Sequence, residues 1–457
     1  MIHFRPLLAA AVVAAAAILF FLPPPAGVTV QTMHAGALIL LTVGLWAVGA
    51  LPEHITGLIF FLLAMVLAVA PAPVIFSGFA TATLWLVLGG LIMADAVLRT
   101  GLAHRMAALL FDRHTSSYRR LVLAVVIAAI VLSFVMPSTV SRVLLLVPIV
   151  IAAAERAGFE YGSPGYEGLC LAAIMATYQC GTAVLPANAP NLVLAGAAET
   201  LYHLPIHYAE YLWLQFPVMG VAKGALIVLL VWWLFPATAQ RAGADRAAAP
   251  MTAEQRRLSL IVAGALVLWV TDYMHGIKAG WVALAAGIAC VLPRVGVIPL
   301  TAFNELRMGP YFYVAAALGL GALAQQSGLT AALGAHLDSI LALRRGADFS
   351  NFVVLSLFTT VAGLFTTAPA QPAVLAPLGQ SFADATGWPL KTALLTLAVG
   401  FSTVLLPYQV PPVVVGMHAA QLRFSAVLRM SVPLAITSLV GLLPLHYLWW
   451  RLVGAFG

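Results

Sequence analysis

The sequence predicts an all-α integral membrane protein that is built as two inverted repeats, with about eleven transmembrane helices and two re-entrant hairpins. Composition is the first observation: 63% of the 457 residues are hydrophobic and only 8% are charged. Such a chain cannot cover itself with a polar surface in water, so it belongs in a bilayer. The second observation is a loop pattern that occurs twice, about half a chain apart. The third is a series of apolar runs long enough to cross a membrane.

The duplicated loop pattern has two parts, and each part keeps a constant offset between its copies. In the first part, Ser138 corresponds to Thr367 and Arg142 to Gln371, at an offset of 229. In the second part, the offset is 221 for each of the pairs Thr182 and Thr403, Pro186 and Pro407, Asn188 and Gln409, and Pro190 and Pro411. Thr100-Gly101-Leu102 also matches Ser327-Gly328-Leu329, at an offset of 227. Paired, Gly/Pro-interrupted apolar segments of this kind point to the midplane binding site of a secondary transporter.

The apolar runs divide the chain into a helix, two repeats and a linker. We expect an N-terminal helix at 1–34, a first repeat at 35–235, a cytosolic linker at 236–257 and a second repeat at 258–457. The runs at 121–157 and 350–383 are predicted to be the re-entrant hairpins, because they are long enough to fold back with the duplicated loops at their tips. Spanning helices are expected at 7–22, 35–51, 55–71, 81–98, 167–186, 213–235, 258–274, 279–293, 310–326, 390–406 and 430–450. Five predicted membrane crossings separate each element of the first repeat from its counterpart in the second. Because five is an odd number, the second repeat has the opposite orientation in the membrane.

The arginines predict the orientation. An N-terminus on the cytoplasmic side satisfies the positive-inside rule, because it places these residues there: Arg99, Arg105, Arg113, Arg119, Arg120, Arg241, Arg246, Arg256 and Arg257. The net charge of +7 therefore reflects orientation in a cytoplasmic (inner) membrane, and no nucleic-acid partner is expected. The run from Leu7 to Leu22 could be a signal peptide, but no clear small-residue cleavage site follows it. We expect a retained first helix.

The hairpin tips have the chemistry of an anion site. A broken helix persists in hydrocarbon only where protein or a water-filled cavity surrounds it. The first amides of the returning helix, with the positive end of its dipole, attract carboxylate, sulfate or phosphate. Carbonyl groups in the segments 182–191 and 403–412 are suited to the opposite task of binding a cation. The alternative for the hydroxyl groups is that they only cap helices or bond back to helix carbonyls.

These segments resemble the divalent anion/sodium symporter family, which includes dicarboxylate, citrate and sulfate carriers. The resemblance rests on the hairpin tips, on the apolar runs that end at Pro148 and Pro377, and on the loop after the next helix. It implies a transport domain that moves as an elevator against a scaffold domain, in a homodimer. The sequence departs from the family at both signature asparagines of the tips, whose places are taken by Thr139 and Ala368. In the family these asparagines help to hold substrate and sodium.

Arg142 is a single charge in an apolar stretch, one helical turn from the first tip. An arginine in mid-membrane costs at least about 2.5–3.5 kcal/mol unless it faces a cavity or a partner. We expect its guanidinium to supply fixed positive charge where relatives recruit sodium, which predicts a sodium-independent or weakly coupled carrier. The structural alternatives are that Arg142 extends to the cytoplasmic edge or pairs with Asp95. Asp95 could instead carry a proton.

The sequence therefore predicts a secondary active transporter of a small anion, either a di- or polycarboxylate or an inorganic oxyanion, and not an enzyme. A proton-coupled efflux carrier of the arsenite/antiporter branch is the first alternative. An integral membrane enzyme on a lipid-linked substrate is the second, but the sequence lacks the clustered acid, base or nucleophile that it needs. No cofactor is expected, the coupling ion is either sodium or a proton if there is one, and no metal-ligand spacing occurs.

Two sets of site residues follow. The predicted substrate-binding residues are Ser138, Thr139, Ser141, Arg142, Thr366, Thr367, Gln371, Asn188, Asn191 and Gln409. The predicted ion-coupling residues are Ser138, Thr139, Thr182, Thr367, Thr403 and Asp95.

Overall fold

A computed structural model describes residues 5–25, 27–111, 117–239 and 250–457. Every regular element in these ranges is a helix, as the sequence predicts. The α-helices are α1 (Arg5–Phe21), α2 (Val30–Val48), α3 (Glu53–Val66), α4 (Ala72–Ile75), α5 (Ala82–Arg99), α6 (Leu102–Phe111), α7 (Tyr118–Val135), α8 (Thr139–Arg156), α9 (Pro164–Gln179), α10 (Ala189–Tyr202), α11 (Tyr208–Gln215), α12 (Lys223–Leu234), α13 (Ala253–Val270), α14 (Asp272–His275), α15 (Ala279–Val291), α16 (Gly309–Gln326), α17 (Leu329–Leu341), α18 (Asp348–Ala362), α19 (Gln371–Leu375), α20 (Gly379–Thr386), α21 (Leu390–Phe401), α22 (Pro411–Ala419), α23 (Phe424–Thr437) and α24 (Leu443–Leu452).

Eight of the eleven predicted spanning segments each overlap one of these α-helices, and the segments 213–235, 258–274 and 430–450 each cover parts of two. In the described residues, five helical stretches are long and apolar enough to cross a membrane: Val30–Val48, Ala82–Arg99, Tyr118–Val135, Tyr208–Leu234 and Phe424–Leu452. α2 begins at Val30 and not at 35, because the Thr29 side chain accepts a hydrogen bond from the Thr32 amide and caps the helix there. Residues 240–249 of the predicted linker, which include Arg241 and Arg246, lie outside the described residues, as does Arg113.

The duplication seen in the sequence is also present in the order of elements. α5 and α6 meet at Gly101, and α16 and α17 meet at Gly328, both in the left-handed region with φ of 67° and 76°. Glycine ends a helix in this conformation without the steric cost that other residues carry, which explains why both loops keep it. The two long stretches that close the repeats contain matching π-helical turns, Phe216–Ala222 and Ser438–Leu442.

Close helix packing holds the centre of the molecule together. α9 is buried along nearly its whole length, and α5 packs closely on α15. A methyl group added to Gly280 would lie 1.9 Å from the carbonyl oxygen of Ala82, so only glycine allows this approach of α15 to α5. α22 packs against α8, and α10 packs against α19. Each repeat therefore places its second half-helix against the hairpin of the other repeat, and this brings the predicted site residues together.

Candidate functional site

The two hairpin tips are built differently. α7 ends at Val135 and α8 begins at Thr139, so the first tip is short. Ser138 is the N-cap residue of α8, and its hydroxyl accepts a hydrogen bond from the Ser141 amide at 3.4 Å. The second tip is longer, since α18 ends at Ala362 and α19 begins at Gln371.

Amide side chains hold the irregular backbone after α9 and α21. Asn191 Nδ2 donates to the carbonyl oxygens of Thr182 at 3.1 Å and Val184 at 2.9 Å. Gln409 Oε1 accepts from the amides of Leu405 at 2.8 Å and Leu406 at 2.7 Å. Buried backbone groups need such partners where no helix supplies them. Asn191 and Gln409 therefore stabilise the breaks themselves.

The hydroxyls of Thr182 and Thr403 bond back to the preceding helix. Thr182 Oγ1 donates to the carbonyl oxygen of Gln179 at 2.6 Å, and Thr403 Oγ1 donates to that of Val399 at 3.2 Å. This is the structural alternative that the sequence left open for such groups. Their predicted role in ion coupling stays a prediction.

Corresponding pairs from hairpin and break are in contact in both repeats. Thr139 Oγ1 lies 3.0 Å from the carbonyl oxygen of Ala187 and within hydrogen-bonding distance of Asn188 Oδ1. In the second repeat, the amide of Ala368 donates to the carbonyl oxygen of Gln409 at 2.8 Å. Ala368 and Gln409 are the counterparts of Thr139 and Asn188, so the same junction of tip and break forms twice.

Arg142 is fully buried beneath the first tip. Its guanidinium donates to the carbonyl oxygens of Met136 at 3.0 Å, Ala187 at 3.0 Å and Thr177 at 3.3 Å. Two side-chain oxygens complete this oxygen cage, Thr139 Oγ1 at 3.3 Å and Asn188 Oδ1 at 3.4 Å. Carbonyl, hydroxyl and amide oxygens around a buried positive charge are the ligands that also bind a hard cation. That the guanidinium takes the place of a bound cation stays a prediction.

Both structural alternatives for Arg142 are wrong. The residue has no exposed surface, so it does not extend to the membrane edge. Asp95 pairs with Arg99 at 2.6 Å, and Arg99 in turn pairs with Glu305 at 2.5 Å. Asp95 is engaged in that surface network because the i, i+4 spacing on α5 places it beside Arg99. Within the described ranges, no carboxylate forms an ion pair with Arg142.

The second tip contains oxygen atoms without partners. Thr366 Oγ1, Thr367 Oγ1 and Gln371 Oε1 are buried, and none has a hydrogen-bond partner among the described residues. Gln371 corresponds to Arg142 but carries no charge. A buried polar atom without a hydrogen-bond partner costs free energy. A ligand that forms hydrogen bonds with these three oxygen atoms would therefore be bound favourably.

Both tips and both breaks line one cavity of about 570 Å³. Ser138 and Thr139 line it from the first tip, Pro369 from the second tip and Asn188 from the first break. Five helices begin at its wall, namely α3, α8, α10, α16 and α22. The positive ends of five helix dipoles therefore converge on one space, which favours an anion.

The remaining predicted residues lie one layer behind this wall or beside it. Ser141 and Asp95 line an adjoining cavity of about 350 Å³, which shares Leu91 and Arg307 with the first and extends to exposed Glu305. Eight further predicted residues are on the wall of neither cavity: Arg142, Thr182, Asn191, Thr366, Thr367, Gln371, Thr403 and Gln409. Arg142 and Asn191 hold the surface that the anion would meet, and a direct contact between them and a substrate stays a prediction.

Sequence reasoning missed several cavity residues. Glu53, His54, Arg307, Tyr178 and Tyr313 also line the cavity. Tyr178 comes from the last turn of α9, and the others come from α3, from α16 and from the segment before α16, whose packing against the site no local pattern predicts. Lys223 was also missed, although a lone basic residue in the apolar run 213–235 carries the same signal as Arg142.

Comparison with known proteins gives the family. The family model described as "Sodium:sulfate symporter transmembrane region" matches residues 5–456. A membrane protein of Cupriavidus necator is 25% identical over 83% of this chain and 76% of its own length. An L-tartrate/succinate antiporter of Escherichia coli is 23% identical over 82% of this chain and 80% of its own.

Solved structures agree on the fold. The YdaH transporter of Alcanivorax borkumensis aligns over 93% of this chain and 99% of its own, with a TM-score of 0.60 at 19% identity. The MtrF efflux pump of Neisseria gonorrhoeae aligns over 96% of this chain and 97% of its own, with a TM-score of 0.56 at 15% identity. The chain belongs to the sodium:sulfate symporter transmembrane family, and it is an integral membrane transporter and not an enzyme.

Proposed function

We propose that this chain exchanges small dianions of the dicarboxylate type across the cytoplasmic membrane without sodium, by an elevator movement of the tips and breaks. The observation that carries the proposal is the buried guanidinium of Arg142 in its cage of oxygen atoms. The name of the Escherichia coli relative, an L-tartrate/succinate antiporter, supports both the class of anion and the exchange.

The cavity supports an anion of this size. Its volume of about 570 Å³ lies within the range of about 300–1,000 Å³ that is usual for small-ligand sites. The α8 amides near Ser138 and the converging helix N-termini provide positive potential on one side. Arg307 adds a basic side chain to the cavity wall. A short dianion can meet both.

A fixed cation favours exchange over net transport. In a sodium symporter, the ion leaves with the substrate, and the empty site returns without its charge. Arg142 cannot leave, so an empty site would carry an uncompensated charge through a low-dielectric interior, which costs several kcal/mol (order of magnitude). A bound anion removes this cost. The loaded site should therefore cross readily in both directions and the empty site should not.

We further propose that the cavity is open to the cytoplasm in this conformation. The adjoining cavity reaches Asp95 and Glu305, beside Arg99, on the face that the positive-inside rule assigns to the cytoplasm. At the other end, Lys278 Nζ lies 2.6 Å from Glu199 Oε1, and the Tyr208 amide donates to Asp272 at 2.7 Å. A reporter that is active only in the cytoplasm, inserted in the linker 236–257, tests the orientation. An inactive reporter in a functional carrier would reverse it.

Reconstituted vesicles test the transport proposal. Vesicles that contain purified protein are loaded with succinate, tartrate or buffer alone, and uptake of labelled succinate is measured in sodium and in choline. We expect uptake only into dianion-loaded vesicles, at equal rates in the two salts. Uptake into empty vesicles that requires a sodium gradient would refute exchange. Uptake driven by a pH gradient without a counter-anion would favour the proton-coupled carrier.

A further inference from the structure

Lys223 is a second buried basic residue that the proposed mechanism does not use. It begins α12 within the apolar stretch Tyr208–Leu234, and 2% of its surface is exposed. Its Nζ donates to the carbonyl oxygen and to the hydroxyl of Ser402, both at 3.1 Å. Among the described residues, no carboxylate lies within ion-pair distance of this amine.

The position of Lys223 parallels that of Arg142. Ser402 is the C-cap residue of α21, the helix that leads into the second break. Arg142 donates to Thr177 in the last turn of α9, the helix that leads into the first break. The C-terminal end of a helix carries negative potential and favours a positive charge. Each of the two broken helices therefore ends on a basic side chain.

The backbone that carries Lys223 lies near the same junction as Arg142. A methyl group on Gly224, the neighbour of Lys223, would contact Cys180 Sγ at 3.6 Å. One on Gly181 would meet Arg142 Nη2 at 2.8 Å. The start of α12 and the guanidinium of Arg142 therefore both lie beside the Cys180–Gly181 junction, where α9 gives way to the first break.

The surroundings of Lys223 indicate a functional position. Lys223 directly follows the π-helical turn Phe216–Ala222, and a small cavity beside it is lined by Ser402, Thr403, Ser438 and His446. Ser438 begins the matching π-helical turn of the second repeat, and its buried hydroxyl has no partner among the described residues. Single π-helical turns are frequent at functional sites, because they free backbone groups from the helix ladder.

We propose that Lys223 is the second fixed cation of the transport site, and that Lys223 and Arg142 together select an anion with two negative charges. This inference rests on the proposed exchange of dianions and adds a residue that determines substrate charge. The two fixed positive charges match the two charges of a dianion, and Arg307 and Glu53 on the cavity wall add one charge of each sign, so the loaded site crosses the membrane interior without net charge. A monoanion leaves one charge uncompensated, and its crossing is slowed.

The test compares two substrates that differ in charge. Exchange of succinate and of monomethyl succinate is measured in vesicles with wild-type protein and with the Lys223→Met, Lys223→Arg and Lys391→Met variants. Lys391→Met is the matched control, since Lys391 is a half-buried lysine that pairs with Glu210 at 2.9 Å, away from the breaks. Lys223→Met should slow succinate exchange about tenfold and shift the rate ratio toward monomethyl succinate. Lys223→Arg and Lys391→Met should keep the wild-type ratio.

A purely structural role predicts a different result. Loss of a packing contact would lower both rates together and leave their ratio unchanged, and that outcome overturns the inference.

If Lys223→Met does not fold, a second measurement uses wild-type vesicles, in which the charge displaced by a sudden rise in succinate concentration is recorded. A neutral loaded site predicts no net charge displacement before steady state, and a negative displacement overturns the proposal. Wild-type protein that does not exchange succinate at all would instead refute the proposed function.

Discussion

The two hairpin tips share a backbone design but differ in charge. Beneath the first tip, the guanidinium of Arg142 fills the oxygen cage formed with the first break. At the second tip, the corresponding Gln371 is neutral, and its Oε1 and the hydroxyls of Thr366 and Thr367 have no partners among the described residues. Both repeats therefore contain the helix breaks, but the polar groups at the two tips differ in whether a side chain of the protein provides their hydrogen-bond partner. The comparison assigns a built-in cation to the first half-site and open acceptor positions to the second.

Removal of the two corresponding side chains should give the largest difference. Arg142→Leu leaves the carbonyl groups of Met136 and Thr177 without their donor, at about 1–3 kcal/mol for each buried group, while the carbonyl of Ala187 keeps its contact with the Thr139 hydroxyl. We expect exchange to be lost and the unfolding temperature to fall sharply. Gln371→Leu should lower the free energy of unfolding by less than about 1 kcal/mol, because its Oε1 has no partner to lose. Thermal unfolding and vesicle exchange measure both effects.

The exposed ion pair of Arg423 provides a control for the loss of an arginine. Its side chain is 74% exposed and lies 3.1 Å from Glu167, so Arg423→Leu should change little. Equal destabilisation by Arg142→Leu and Gln371→Leu would contradict the difference between the half-sites.

Restoring the family pattern at the first tip should create a sodium requirement. Arg142→Gln combined with Thr139→Asn replaces the fixed cation with neutral oxygen ligands and returns the missing asparagine. We expect uptake about tenfold faster in sodium than in choline when sodium is present at about ten times the Kd of its single site. The wild type should show no difference between the salts. A double variant that folds and still ignores sodium would argue against the cage as a cation site.

Loss of one hydroxyl at each tip should separate stability from affinity. Ser138→Ala removes the N-cap of α8 and should cost about 1 kcal/mol of folding stability. Thr367→Ala removes a hydroxyl that has no partner in the described structure, so stability should change by less than about 0.5 kcal/mol. Its effect should appear as weaker substrate binding. Thermal unfolding with and without succinate measures both terms, and a Thr367→Ala variant that binds succinate normally would remove this hydroxyl from the site.

The smallest effects are expected where the repeats are alike. Thr182→Val and Thr403→Val each remove one hydrogen bond back to a helix carbonyl. Each should cost about 0.5–1.5 kcal/mol of stability, to a similar extent in both repeats and without a change in the response to sodium. A sodium response that changes in only one of the two variants would restore a coupling role for that threonine.

Much of this architecture could be predicted from sequence because the lipid environment constrains it strongly. Apolar runs must become helices in hydrocarbon, and breaks in them stand out as Gly/Pro and polar interruptions, so the tips and the breaks were found in both halves. The constant offset between Asn188 and Gln409 also proved informative, since both contact their own tip.

Distances between elements could not be predicted in the same way. That Arg142 lies behind the cavity wall depends on the rotation of α8, and that Arg307 lines the cavity depends on how α16 and the residues before it pack. Asp95 shows the same limit. It pairs with Arg99, four residues further along α5, and not with Arg142 in the hairpin. Pairings of this kind are settled by three-dimensional packing.

The burial of the three cysteines has a practical consequence. Cys170 and Cys180 lie at the centre of the molecule and Cys290 lies in α15, and each is at most 1% exposed. A thiol reacts as the thiolate and needs access to solvent, so these sulfurs should be inert toward maleimide dyes and spin labels. A single engineered thiol on α3 and another on α8 would then report the separation between them in the otherwise native protein. The motion of the protein can therefore be measured by spectroscopy without first removing its native cysteines.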